Sequence, residues 1–250
     1  RMVTLRPQEP SLHLTLGSVL RNLYRTTGHS HGLLEQADRS YLASERLDPQ
    51  NAELAVLRAS LADEMHRHLE GSPSRPSSAE VEALHRAAIR AAPSASAPWL
   101  GLGEWLRRAD EGDFGRLAET ASVYATACRL DPTDADAALT LGLHEHQLGH
   151  VGAAAASYRA AIALNPSSAE AYRLLGSLRV HNEPAPQRRA EDALRAALRL
   201  GSTGNVIAEL RGVLQLQGRL AEAAALGGGR DGDCPWMILN DLTLPMHVWR

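Results

Sequence analysis

Three histidines lie close together in the segment HEHQLGH, namely His144, His146 and His150. Imidazole is a common zinc ligand, so their spacing bears on whether a metal site exists. On a helix, residues i and i+2 face different sides, so His144 and His146 cannot share one ion. His146 and His150 have the i, i+4 spacing that would allow it, but His150 follows Gly149 in a turn. We therefore predict groove or surface histidines and no metal.

Two cysteines and a glycine-rich segment are the other candidates for chemistry. Cys128 and Cys234 form no CxxC pattern, and nothing in the sequence places a histidine base beside Cys234. The segment GGGRDGD lacks the strand–loop–helix setting and the lysine of a phosphate-binding loop. Its DGD triplet is too short for a calcium-binding loop. We predict that the chain is not an enzyme and needs no cofactor.

The composition favours packed helices. Apolar residues make up 44% of the 250 residues and aromatic residues only 4%, with Ala and Leu predominating. Ala has the highest helix propensity, whereas sheets favour branched and aromatic residues. All the basic residues are Arg, and a formal net charge of −3 gives no electrostatic reason to expect nucleic acid. No apolar run reaches the roughly 18 residues of a membrane-spanning helix, so we expect no membrane insertion.

A spacing of 34 residues recurs in the chain. It separates Leu141-Gly142 from Leu175-Gly176, and it also separates Asp131-Pro132 from Asn165-Pro166. Two independent pairs at one spacing indicate a repeated structural unit. Gly149 marks the turn between the two helices of the clearest unit, and a proline ends the second helix because it disfavours α geometry in the residue before it.

This pattern resembles the tetratricopeptide repeat, in which W-x2-L-G-x2-Y is followed by A-x3-F and a late proline. Ala154 and Tyr158 occupy the A-x3-F positions, whereas Ala138 and Glu145 replace the two aromatic residues of the first motif. The resemblance implies an all-α fold, a right-handed α-solenoid of antiparallel helical hairpins, with about six degenerate repeats of which the last is incomplete. The other repeats are marked by Leu16-Gly17 and Tyr41, by the segments 52–64 and 79–93, by Trp99, Gly103 and Tyr124, by Gly176 and Leu194, and by Leu210, Gly218 and Ala223.

The chain divides into three predicted segments. Residues 1–10 form an N-terminal extension, residues 11–226 form the solenoid, and residues 227–250 form a Gly-rich linker with an apolar tail. That tail either caps the last hairpin or opens a further domain. Because Arg1 precedes Met2, we expect the natural N-terminus to be missing, together with any targeting signal; the predicted location is the cytoplasm.

The resemblance also implies a concave groove lined by the first helix of each hairpin. Residues that flank the Leu-Gly pair are expected to face it, and in the second hairpin Ala55, Ala59 and Ala62 take these places. Arginine binds carboxylates through two hydrogen bonds, so the expected partner is a protein or peptide with an acidic segment; the alternative is that the arginines are merely solvated. The groove candidates are Arg21, Glu104, Arg107, Arg108, Leu139, His146, Gln147, Arg173, Ser177 and His181.

Three functional hypotheses follow. The first is an adaptor that binds a peptide or partner protein in the groove. The second is a substrate-recruiting arm of a larger multidomain enzyme, of glycosyltransferase, oxygenase or sulfotransferase type, whose catalytic domain is absent from this sequence. The abrupt change from Ala-rich helix to MILNDLTLPMHVW after Gly229 favours the second. The third is self-association through the tail or through an exposed terminal hairpin.

Overall fold

The computed structural model describes residues 8–27, 31–109, 114–178, 184–202 and 205–226. Those residues form α-helices and no β-strand, which confirms the predicted all-α class. They belong to two compact units, Arg1–Pro132 and Thr133–Arg250. The predicted segment 227–250 and the first seven residues of the N-terminal extension lie outside the described residues.

Twelve helices occur in the described ranges and pair as hairpins. Each odd-numbered helix packs against the even-numbered helix that follows it, which gives hairpins 1 to 3 in the first unit and 4 to 6 in the second. This confirms the six predicted repeats. The first unit contains α1 Pro10–Thr27, α2 His31–Leu47, α3 Ala52–His68, α4 Ser78–Ala91, α5 Ser96–Ala109 and α6 Phe114–Leu130. The second contains α7 Ala135–Gln147, α8 Val151–Leu164, α9 Ala169–Ser177, α10 Pro184–Arg199, α11 Val206–Leu216 and α12 Leu220–Ala225.

Local sequence determines where these helices begin and end. Asp134 and Ser168 cap α7 and α9, because each side-chain oxygen accepts a hydrogen bond from a backbone N–H in the first turn. Gly149 has a φ of 79°, a left-handed conformation that lets the chain reverse between α7 and α8. The second helix of hairpin 4 ends at Leu164, immediately before Asn165-Pro166, as the proline predicts.

A glycine on the first helix of a hairpin receives a large side chain from the second helix. A methyl group added to Gly142 would lie 2.6 Å from two ring carbons of Tyr158, which is too close for any real contact. Gly103 and Tyr124 repeat this arrangement in hairpin 3. The Leu-Gly pair of the repeat is therefore explained by ring packing, since only a residue without a Cβ leaves room for the tyrosine.

The apolar core runs from one hairpin into the next. One cluster joins hairpins 1 and 2, with Tyr24 and Tyr41 packed against Leu54 and Leu61. A second joins hairpins 2 and 3 around Trp105. In the second unit, separate clusters link hairpin 4 to hairpin 5 and hairpin 5 to hairpin 6. Such shared cores are typical of solenoids, because a single repeat cannot bury its apolar surface alone.

Candidate protein-binding face

The first helices of the first unit, α1, α3 and α5, lie side by side. We call the surface that they form the first-helix face. Arg21 on α1 and Arg107 on α5 each lie four residues after the glycine of their hairpin's Leu-Gly pair. On α3 the same place, four residues after Ala59, is taken by Asp63. Two carboxylates of α3, Asp63 and Glu64, therefore lie between the arginines of α1 and α5.

The most buried polar contact of this face joins α1 to α3. Arg21 Nε donates to Glu64 Oε2 at 2.6 Å, and the two side chains are only 9% and 6% exposed. Arg25 Nε donates to the other carboxylate oxygen at 3.0 Å. Burial alone raises the pKa of Glu64, but the hydrogen bonds from Arg25 and Arg21 outweigh it and the net shift is downward. Glu64 therefore stays ionised between its two arginines.

A second, more exposed set of contacts joins α3 to α5. Arg108 Nη2 donates to Asp63 Oδ2 at 2.5 Å, and Arg67 lies 3.6 Å from the other oxygen of Asp63. Arg107 Nη2 donates to Glu104 Oε2 at 2.9 Å, and these two side chains are 46% and 42% exposed. Water screens such a pair, so it holds its geometry weakly.

Together these contacts form one group of charges, which we call the arginine network. Its members are Arg21, Arg25, Arg67, Arg107 and Arg108 with Asp63, Glu64 and Glu104. Five guanidinium groups thus face three carboxylates. The first-helix face consequently carries two positive charges in excess, although the whole chain has a formal net charge of −3.

The buried tyrosines bring their hydroxyl groups to the first helices. Tyr124 Oη donates to Glu104 Oε1 at 2.7 Å, and Tyr41 Oη shares a hydrogen bond of 3.0 Å with Ser18 Oγ. Tyr158, in hairpin 4, is fully buried and its hydroxyl finds no hydrogen-bond partner among the described residues. Burial, with Glu170 adding to it and Arg173 opposing it, raises the pKa of Tyr158 to about 12.

In the second unit the predicted groove residues lie on α7 and α9. Arg173 holds Glu170 through two hydrogen bonds, Nε to Oε2 at 2.8 Å and Nη2 to Oε1 at 2.6 Å, and reaches Glu209 on α11 at 3.4 Å. Ser177 Oγ donates to the carbonyl of Leu174 at 2.9 Å. Arg173 is thus engaged within the chain, as are the arginines of the first unit.

The remaining candidates differ in how much of each is accessible. Leu139 packs against the apolar cluster of hairpins 4 and 5, so only part of it reaches the surface. His146 is half-buried and Gln147 is exposed at the end of α7. His181 lies outside the described residues.

Sequence reasoning predicted Glu104 but missed the two carboxylates of α3, Asp63 and Glu64, and also Arg25 and Arg67. Hairpin 2 has no Leu-Gly pair, and its small residues were expected to line the groove. That expectation is wrong for Ala59 and Ala62, since both are buried in the core. The register shared with hairpin 3 could have identified the two carboxylates of α3. Asp63 and Glu64 follow Ala59 at the same spacing by which Arg107 and Arg108 follow Gly103.

The histidine cluster is dispersed over the hairpin 4 turn. His144 is buried, with its Nδ1 2.8 Å from the carbonyl of Thr140, whereas His150 Nδ1 lies 2.7 Å from Glu145 Oε2. No three His, Cys, Asp or Glu side chains in the described part of the chain are grouped to hold a metal ion. Within the same part, no helix combines the length and the apolar character needed to cross a membrane. Cys128 is half-buried on α6, and Cys234 lies outside the described residues.

Known proteins with a similar sequence or fold are helical-repeat proteins. The model of a TPR repeat family matches residues 142–180, the part of the chain in which the 34-residue spacing is clearest. No curated protein matches the sequence. Solved structures resemble it at low identity. YrrB, described as a TPR protein with an unusual peptide-binding site, shares 14% identity at a TM-score of 0.62, over 87% of this chain and 96% of that one.

Two further structures show the same likeness. Pseudomonas aeruginosa pilF shares 16% identity at a TM-score of 0.60, over 87% of this chain and 88% of that one. MamA shares 18% identity at a TM-score of 0.58, over 76% of this chain and 91% of that one. The fold is therefore an all-α helical-repeat solenoid. Residues 142–180 match a TPR repeat, and the fold of the described helices is similar to that of tetratricopeptide-repeat proteins, a class whose extended surfaces in general bind other proteins.

Proposed function

We propose that this protein is an interaction scaffold that binds an acidic segment of a partner protein or peptide on the first-helix face of its first unit. The arginine network carries the proposal, because its two surplus positive charges attract an anion from outside the network. Guanidinium groups suit carboxylates in particular, since their planar forks match the two oxygens.

Exposure separates the arginines that would bind from those that hold the fold. The pair between Arg107 and Glu104 is about half exposed, so its net stabilisation is about 0–1 kcal/mol and a partner carboxylate can take the place of Glu104. The Arg21–Glu64 pair is buried, and opening it would strand a charge away from water. We therefore assign Arg107 and Arg67 to the ligand, and Arg21 and Arg108, whose carboxylate partners are buried, to the structure.

The second unit offers a less charged surface for the same role. On α7, Gln147 is exposed and His146 is half-buried, and both can exchange hydrogen bonds with a peptide backbone. On α9, Arg173 and Ser177 are partly exposed. We propose that these residues contribute polar contacts, with Leu139 supplying part of the apolar floor.

Fluorescence anisotropy with a labelled peptide tests the assignment. The probe alternates six glutamates with alanines, and its control carries glutamines in their place. We expect the acidic probe to bind, the glutamine probe to bind at least about tenfold more weakly, and added salt to weaken the acidic probe. Equal binding of the two probes would show that carboxylates are not what this face recognises.

Charge-reversed variants then locate the site. Arg107→Glu is expected to weaken the acidic probe by about tenfold or more. Arg90→Glu, at an exposed position of α4 outside the arginine network, carries the same charge change and is expected to leave affinity unchanged. An equal loss in both variants would mean that net charge alone governs binding. The absence of catalysis, the cytoplasmic location and self-association stay predictions.

A further inference from the structure

A cavity of about 430 Å³ lies in the first unit, away from the arginine network and sharing no residue with it. It is open to solvent on one side and is lined by α2, α3, α4 and the connection between α3 and α4. Its floor is apolar, with Met65 and Leu84, and its polar lining consists of Asp38, Arg58, Ser74 and Glu80. A volume of this size accommodates a small ligand or one long side chain.

Hydrogen bonds hold the wall of this cavity in place. His66 Nδ1 donates to the carbonyl of Pro76 at 2.8 Å, and Arg75 Nε donates to the carbonyl of His66 at 2.8 Å. The next residue, Ser77, forms a capping box with Glu80, in which each side chain binds the other residue's backbone N–H. The connection is thereby tied to both helices that it joins, so the cavity exists before any ligand arrives.

The charges that line the cavity are unbalanced. Arg58 donates to Glu45 at 2.5 Å, so its positive charge already has a carboxylate partner. Asp38 is half-buried, and no described residue donates a hydrogen bond to it. Burial raises the pKa of Asp38, and Arg58 only partly offsets this. Glu80 accepts hydrogen bonds from Ser77, which lower its pKa and keep it anionic. The cavity therefore combines an apolar floor with surplus negative charge.

We propose that this cavity binds an alkylammonium group, with its carbon chain along Met65 and Leu84 and its ammonium at Asp38. Two sources share this chemistry, the side chain of a lysine and a free aliphatic diamine. The chain itself contains no lysine, so a lysine ligand comes from another protein. The site is independent of the proposed acidic-peptide face, and it adds a second recognition element of opposite charge.

Binding is tested on the full chain by two-dimensional NMR titration. The probes are Nα-acetyl-lysine methylamide, 1,5-diaminopentane and Nα-acetyl-norleucine methylamide, which keeps the lysine carbon chain without the ammonium. We expect saturable shifts at amides of α2 and α4 with both amines, and at least about fivefold weaker binding of the norleucine compound. Tighter binding of the diamine would identify a free diamine as the ligand, and tighter binding of the lysine compound a protein side chain.

Two isosteric variants on α2 separate the site from general surface charge. Asp38→Asn is expected to raise the dissociation constant for both amines about fivefold or more. Glu35→Gln removes a carboxylate whose one ion pair among the described residues is with exposed Arg39, and it is expected to leave binding unchanged. Ala83→Phe, on the exposed wall, is expected to abolish the shifts by filling the cavity. Undiminished binding by Asp38→Asn, or equal affinity for the norleucine compound, would overturn the proposal.

Discussion

Hairpins 3 and 4 each bury a tyrosine ring at the same position of the repeat, but the hydroxyl groups of the two rings have different surroundings. In hairpin 3 Tyr124 donates to Glu104, which in turn belongs to the arginine network. In hairpin 4 the residue after Gly142 is Leu143, and the hydroxyl of Tyr158 has no partner among the described residues. Both rings press on a glycine of the first helix. The packing is repeated, whereas the surface chemistry beside it changes.

This difference shows which parts of the repeat are free to vary. The glycine and the ring determine how closely two helices approach, so changing either one disturbs the core. The residue after the glycine lies beside the ring at the surface and can be Ser18, Glu104 or Leu143 without altering the hairpin. One architecture therefore carries a charged face in the first unit and a more apolar one in the second.

The largest expected effect contrasts a buried and an exposed ion pair. Glu64→Ala is expected to lower the free energy of unfolding by about 3–5 kcal/mol, because buried Arg21 loses its partner. Glu170→Ala, in the second unit, is expected to cost no more than about 1 kcal/mol, because that carboxylate is half exposed and Arg173 keeps Glu209. Urea unfolding followed by circular dichroism measures both.

A double variant sharpens the same contrast. Replacing Arg21→Met together with Glu64→Leu is expected to restore most of the stability that Glu64→Ala loses, since no buried charge is then left unpaired. If the double variant is as unstable as Glu64→Ala, burial of charge is not the cause.

A second expected effect concerns acid sensitivity of the first unit. His85 is buried beside Trp105, and burial lowers its pKa to about 4, from 6.5, with Asp63 opposing and Arg108 assisting. The unfolded chain therefore binds a proton at a higher pH than the folded chain does. Above about pH 6.5 His85 is neutral in both the folded and the unfolded chain and does not reduce the free energy of unfolding. As the pH drops from 6.5 towards 4, His85 lowers that free energy by at most about 1.4 kcal/mol per pH unit.

Tryptophan fluorescence measures this loss, because Trp99 and Trp105 lie in the first unit. His85→Gln is expected to flatten the slope between pH 6.5 and 4.5. Below that range the carboxylates whose pKa values are lowered, such as Glu64 and Glu104, also begin to lose their ion pairs. A variant that keeps the wild-type slope above pH 4.5 would assign the acid sensitivity to another group.

The smallest expected effect tests the two tyrosines directly. Tyr124→Phe removes a hydrogen bond to an ionised carboxylate, so it is expected to lower the unfolding free energy by about 1.5–3 kcal/mol. Tyr158→Phe removes a buried hydroxyl that has no partner among the described residues, so it is expected to be neutral or stabilising. Thermal denaturation of both variants gives the comparison, and equal losses would contradict the proposed difference between the hairpins.

Much of the fold was predictable because its signals are local. The Leu-Gly pair, the tyrosine and the late proline each act within one hairpin, and the 34-residue spacing then repeats that hairpin along the chain. The placement of Arg21, Arg107 and Arg108 on first helices follows from the same register. Hairpin 2 was the exception, because without a Leu-Gly pair its register was read from alanines that turned out to be buried.

The sequence by itself determined the helices, their pairing and the absence of any motif that assigns a reaction, since all of these depend on neighbours in the chain or on residue type. Only the tertiary structure decided which charges meet. Arg21 and Glu64 are separated by 43 residues, and Asp63 and Arg108 by 45, so their contacts exist only because α1, α3 and α5 pack side by side. The cavity beside Asp38 has the same origin, because three helices and a connection must come together before it has walls.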